Sequence, residues 1–158
     1  MKLAIRLKKM LASDCNLGEG LWVKCSRAAW VDINRDQLLI CEGNTVRNYF
    51  TLNKPSIIYD IENNEVSIGT DRGLAKFNTQ NKKEVLLSDV SSSHSVKEFR
   101  SNDGGFCGDH QLLGFMHRND PVKNFGFVYL VKDESFYLLD DNLHIPNSFI
   151  EIEPSKIL

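Results

Sequence analysis

From Ala29 onward, short apolar and β-branched runs alternate with turn residues, the signature of strands rather than helices. Trp30-Val31-Asp32-Ile33, Leu38-Leu39-Ile40-Cys41 and the run from Val46 to Leu52 form a first group, with Gly43-Asn44 between the last two. Ser56-Ile57-Ile58-Tyr59-Asp60, Val66-Ser67-Ile68-Gly69, Leu74-Ala75-Lys76-Phe77 and Glu84-Val85-Leu86-Leu87 form a second, turned by Asn63-Asn64 and Asp71-Arg72-Gly73. A third holds Leu112 to Met116, Phe125 to Val131 and Ser135 to Leu139, and Asp140-Asp141-Asn142 is expected to close it. Near the start, Leu3, Ile5 and Leu7 alternate with Lys2, Arg6 and Lys8, which predicts an edge strand. No long helix is expected.

The groups repeat weakly. Trp30-Val31-Asp32-Ile33, Val66-Ser67-Ile68-Gly69 and Leu113-Gly114-Phe115-Met116 take the same place in each, followed by a second and a third run. A recurrence of roughly 35 to 50 residues is that of a four-stranded β-propeller blade. An all-β sandwich with irregular hairpins fits the periodicity equally well. Ser88 to Val96, with Ser91-Ser92-Ser93 and His94, reads as the loop between two repeats.

A chain of 158 residues buries roughly 70% of its unfolded surface as one domain, so residues 1–158 are expected to form a single unit. The formal net charge of −2 and the lack of a Lys/Arg stripe interleaved with aromatics argue against nucleic acid. Arg6, Lys8 and Lys9 interrupt the apolar residues of the N-terminal stretch, leaving neither a signal-peptide core nor a membrane span. Cys15, Cys25, Cys41 and Cys107 show no C-x-x-C spacing, which suits free thiols in a reducing cytoplasm.

Candidate chemistry sits in three stretches. In Arg100-Ser101-Asn102-Asp103-Gly104, residues two apart on an extended segment share a side, so Arg100 and Asn102 can present a cation and an amide to one small polar ligand. Asp103-Gly104 is a strong hairpin signal, and spacing alone makes the stretch a solvated turn. Gly18-Glu19-Gly20 sets a carboxylate between two residues that allow close backbone approach; it reads equally as a surface turn before Leu21-Trp22-Val23. Pro146-Asn147-Ser148 offers an amide oxygen of the kind hard cations accept, in a triplet that is ordinarily a turn. His94, His110, His117 and His144 fall at no metal-motif spacing and read as structural or solvated, and nothing supports a Cys107–His110 nucleophilic pair.

Taken together and in order, three segments resemble the senescence-marker-protein and gluconolactonase family of regucalcin-like lactonases. Leu17-Gly18-Glu19-Gly20-Leu21-Trp22 with Trp30-Val31-Asp32-Ile33 resembles its G-E-G/S-P-x-W and W-V-D-I strands. Arg100-Ser101-Asn102-Asp103-Gly104 with Gly114-Phe115-Met116 resembles R-x-N-D-G and G-T-M, and Ile145-Pro146-Asn147-Ser148-Phe149 with Glu153-Pro154-Ser155 resembles I-x-N-G-x-x-W-S-P. The resemblance implies a six-bladed propeller that binds a divalent cation (Ca²⁺, Mg²⁺ or Zn²⁺) in its central channel and hydrolyses sugar lactones. It further implies Glu19 and Asn147 as metal ligands, and Arg100 and Asn102 as the substrate-positioning pair.

The sequence departs from that pattern at three points. Leu21 stands where the family has Pro after G-E-G, and Ser148 stands where it has Gly after the ligand Asn. The resemblance also covers only about half of the family pattern, since six blades at roughly 40 to 45 residues each need on the order of 250 residues. The metal-bound Asp that serves as general base has no counterpart after Asn147, the last aspartates being Asp140 and Asp141. The expected fold is therefore all-β, about three blades of a six-bladed propeller, completed by a homo-oligomer or by a complementary half-propeller chain. A non-catalytic, truncated propeller acting as a metal-binding or protein-interaction module is the alternative.

Overall fold

The computed structural model describes residues 14–154 and 156–157. The strand expected at Leu3, Ile5 and Leu7 lies outside the described residues. Twelve strands form three antiparallel four-stranded sheets, each a simple meander. The first holds β1 (Gly18–Lys24), β2 (Arg27–Asp32), β3 (Gln37–Glu42) and β4 (Thr45–Phe50). The second holds β5 (Pro55–Glu62), β6 (Glu65–Thr70), β7 (Gly73–Asn78) and β8 (Lys83–Asp89), and the third β9 (Phe99–Cys107), β10 (His110–His117), β11 (Gly126–Lys132) and β12 (Ser135–Leu143). A hairpin of β13 (Glu151–Glu153) and β14 (Lys156–Ile157) follows, and one turn of 3-10 helix, Ile33–Arg35, follows β2.

The leading strand of each sheet is its inner strand. β5 packs against β1 on one side and β9 on the other, so the sheets fan out as three consecutive propeller blades. Three sheets packed in series, each inner strand beside the next, differ from the paired sheets of a sandwich.

Period-2 alternation explains the stacking. Ala29 and Val31 of β2 and Leu38 and Ile40 of β3 meet Ile58, Ile61, Val66, Ile68 and Phe77 of the second sheet in one core. The second sheet's other face supplies Tyr59 and Leu74 to a second core with Leu113, Phe115, Phe127, Tyr129 and Val131. Each fully buried Leu, Val, Ile or Phe contributes about 1.5–3 kcal/mol relative to exposure, so these faces hold the blades together. Polar ties add direction at one end. Lys54 Nζ donates to Ile33 O at 2.8 Å and to Asp36 Oδ1 at 2.5 Å, linking the first two blades. Arg118 Nη2 donates to Asp71 Oδ2 at 2.5 Å and its Nε to Val96 O and Phe99 O at 2.9 Å, linking the second and third.

Two local expectations are corrected. Asp103-Gly104 is not a hairpin turn: it lies inside β9, and the chain reverses at Gly108-Asp109, bringing Cys107 opposite His110. Asp103 pairs with Gly114 and Ser101 with Phe115, leaving Asn102 as the extra residue of a β-bulge. Gly104 is required by closeness instead, since a Cβ there would lie 2.6 Å from Leu112 O and 2.7 Å from Tyr59 Oη. Asp140-Asp141-Asn142 likewise does not end the third group, because β12 continues through a register shift to Leu143. Of the Ser88–Val96 loop, Ser88 belongs to β8 and Val90 is fully buried.

Candidate functional site

Both inner strands that carry candidate residues do so near their first ends. Glu19 is the second residue of β1, and Arg100 and Asn102 open β9. Gly20 keeps a φ of 59°, and a Cβ on it would lie 2.7 Å from Ser56 O, so this glycine lets β1 approach β5 while Glu19 beside it stays exposed.

The bulge at Asn102 turns neighbouring side chains into a connected group. Arg100 Nη1 donates to Ser101 O at 2.9 Å and to Asn102 Oδ1 at 3.1 Å. The Asn102 amide nitrogen donates in turn to Pro146 O at 3.1 Å, tying β9 to the segment that carries Asn147. Asp103 Oδ2 accepts the Ser148 N–H at 2.7 Å. That bond holds Ser148 at a φ of 59°, a left-handed conformation that glycine adopts freely and serine does not. Arg100 is half-buried; burial first, and then the Arg118 guanidinium, pull its pKa below the ordinary arginine value, while the Glu19 carboxylate opposes them. Glu19 thus contributes a negative field at Arg100.

Arg118 gave no sequence signal. Met116 pairs with Arg100 across β10 and β9, and Arg118, two residues on, is drawn back over the start of β9 by its bonds to Val96 O and Phe99 O. Only the register reveals it.

The donor set for a cation is partial. Glu19 and Asn147 are both exposed and offer one carboxylate and one amide, whereas Ca²⁺ takes 6–8 oxygen ligands. The Asn102 amide oxygen already faces a guanidinium. No group of three or more His, Cys, Asp or Glu occurs among the described residues. These residues fit a divalent cation only as part of a larger donor set. Asp103 and Tyr59 do not enlarge it: Asp103 holds Ser148 N, and Tyr59 donates to Leu112 O at 2.6 Å with its pKa pushed well up by burial and by Asp103.

Three of the four histidines make contacts within the fold. His117 Nδ1 accepts Asp120 N–H at 3.1 Å, and His144 stacks on Phe125 at 4.6 Å. His94 sits among Phe99, Phe115, Phe127 and Tyr129 without a hydrogen-bond partner among the described residues, and burial pulls its pKa down to about 4.

Three stacked four-stranded blades, with polar residues gathered at the first ends of the inner strands, define a regucalcin-like β-propeller architecture. The chain superposes on the calcium-binding protein regucalcin from Agrobacterium tumefaciens strain C58 with a TM-score of 0.77 and 23% identity, over 87% of this chain and 47% of that one. It superposes on a luciferin-regenerating enzyme with a TM-score of 0.75 and 16% identity, over 85% of this chain and 48% of that one. The chain therefore spans about half the length of these structures, and the likeness is one of fold. No protein-family model and no curated protein matches the sequence. Among the described residues no helix is long and apolar enough to cross a membrane.

Proposed function

We propose that this chain carries the substrate-positioning half of a divalent-metal-dependent sugar-lactone hydrolase of the gluconolactonase kind. The carrying observation is the run of hydrogen bonds from Arg100 through Asn102 to Pro146 O, which fixes a guanidinium and an amide beside the segment that bears Asn147. In this reading Arg100 and Asn102 hold the lactone's hydroxyl groups and contribute orientation rather than bond making. A divalent cation, when its remaining donors are supplied, polarises a carbonyl and lowers the pKa of a bound water. Ca²⁺ is the first ion to test, since the regucalcin structure is that of a calcium-binding protein.

The remaining donors come, in this proposal, from a second copy of the chain or from a complementary half-propeller. An apolar groove of about 450 Å³ on the outer side of the third blade, lined by Leu112, Val128, Leu139, Leu143 and Ile145, supports the need for such a neighbour. The lack of C-x-x-C spacing among Cys15, Cys25, Cys41 and Cys107 supports a reducing, cytoplasmic setting. The test is proton release from glucono-δ-lactone in a pH-stat. The proposal expects turnover that Ca²⁺, Mg²⁺ or Zn²⁺ supports and EDTA abolishes, reduced about 10²-fold by Arg100→Ala. Turnover indifferent to both Arg100 and metal would refute it.

A second reading, a non-catalytic metal-binding or interaction module, is favoured by the two-donor cation set among the described residues. Saturable Ca²⁺ binding without lactone turnover, at any oligomeric state, selects it.

A further inference from the structure

The first two blades enclose a polar cleft of about 280 Å³ at the ends of their strands remote from Glu19. Its wall is built from Arg27 at the start of β2, Glu42 at the end of β3, Arg47 on β4, and Asn63-Asn64 in the β5–β6 turn. Arg27 Nη2 bonds Glu42 Oε1 and its Nη1 donates to Asn63 O at 3.4 Å. Arg47 approaches the same carboxylate only to 4.0 Å, its side chain is 66% exposed, and no hydrogen bond engages its guanidinium among the described residues. Two guanidiniums thus share one carboxylate, leaving one positive charge in excess among the residues that line the cleft. Asn63, Asn64, Thr45 and Thr79 add polar lining, and Ile40, Tyr49 and Ile61 complete it.

We infer that this cleft is a binding site for a small oxyanion, a carboxylate or phosphate group, taken bidentately by Arg47 with Arg27 as second donor. Planar guanidinium forks match both groups, and the excess charge selects an anion over a neutral molecule. Glu42 acts as an internal competitor that occupies the arginines when no ligand is present. The site is separate from the Arg100 group and stands whatever that group does.

The experiment is a titration of the ¹⁵N-labelled chain, in separate arms, with inorganic phosphate and with sodium gluconate. The inference expects saturable shifts in at least one arm at the amides of Arg27, Arg47, Asn63 and Asn64; the stronger arm identifies phosphate or hydroxy-carboxylate as the natural chemistry. Arg47→Gln should weaken binding about tenfold, whereas Lys132→Gln, the same charge change on the third blade, should leave it unaltered. Glu42→Gln should tighten it about threefold or more, because the competing carboxylate is gone. A structural ion-pair cluster moves the other way: no saturation in either arm, or equal effects of Arg47→Gln and Lys132→Gln, or weaker binding by Glu42→Gln, overturns the inference.

Discussion

Ser148 holds a φ of 59° at the position where the resemblance leads one to expect glycine. A left-handed serine costs about 1–2 kcal/mol, and the extra freedom of an unfolded glycine costs about 0.5–1 kcal/mol. Ser148→Gly should therefore stabilise the chain by about 0.5–1 kcal/mol, read from the urea midpoint, and an unchanged or lower midpoint would show that the Asp103–Ser148 bond already absorbs the strain. His94 supplies the pH dependence. Its folded pKa of about 4 lies below the ordinary 6.5, so between these values the unfolded chain binds the extra proton. The stability this residue contributes is complete above about pH 6.5 and is lost as pH falls toward 4. Thermal midpoints from pH 7.5 to 4 should fall more steeply for the wild type than for His94→Leu; parallel curves would exclude His94 as the cause. The four candidate residues could be named from short motifs in the sequence. Arg118 could not, because nothing near it in sequence hints that two bonds to backbone carbonyls lay it beside Arg100.

At the scale of elements, strands were readable because apolar residues alternate with polar ones, and the equivalent runs at Trp30, Val66 and Leu113 all fall on the second strand of their blades. The failure at Asp103-Gly104 is instructive. A local hairpin signal lost to tertiary register, since β9 must run on to Cys107 to pair fully with β10, and the strand absorbs its polar insertion as a bulge. Gly104 is there for Leu112 O and the Tyr59 hydroxyl, neither of which is near it in sequence. Gly104→Ala should accordingly destabilise the chain by about 2 kcal/mol or more, because two of the atoms it would meet are backbone or tightly bonded. A urea midpoint within error of wild type would mean that β9 and β10 separate more easily than this packing implies. The β13–β14 pairing carries little sequence signal, its strands being only three and two residues long.

At the scale of the whole molecule, three blades supply one wall of a polar site and leave an apolar groove on the outer side of the third. Leu139, Leu143 and Ile145 are each more than a third exposed there, and Leu21 and Val23 are 70% and 64% exposed on the first blade. In the proposed function, exposed apolar faces of this kind are what a second copy or a complementary half-propeller covers. The number of blades was readable from the repeat, but no residue pattern states what completes the ring. Light scattering on the size-exclusion peak of the 158-residue chain, with Ca²⁺ and with EDTA, addresses this most directly. A shared-site propeller predicts a discrete species of twice the chain mass, or a stoichiometric complex with a second polypeptide, strengthened by Ca²⁺. A monodisperse monomer in both conditions, with its groove open to solvent, would contradict it.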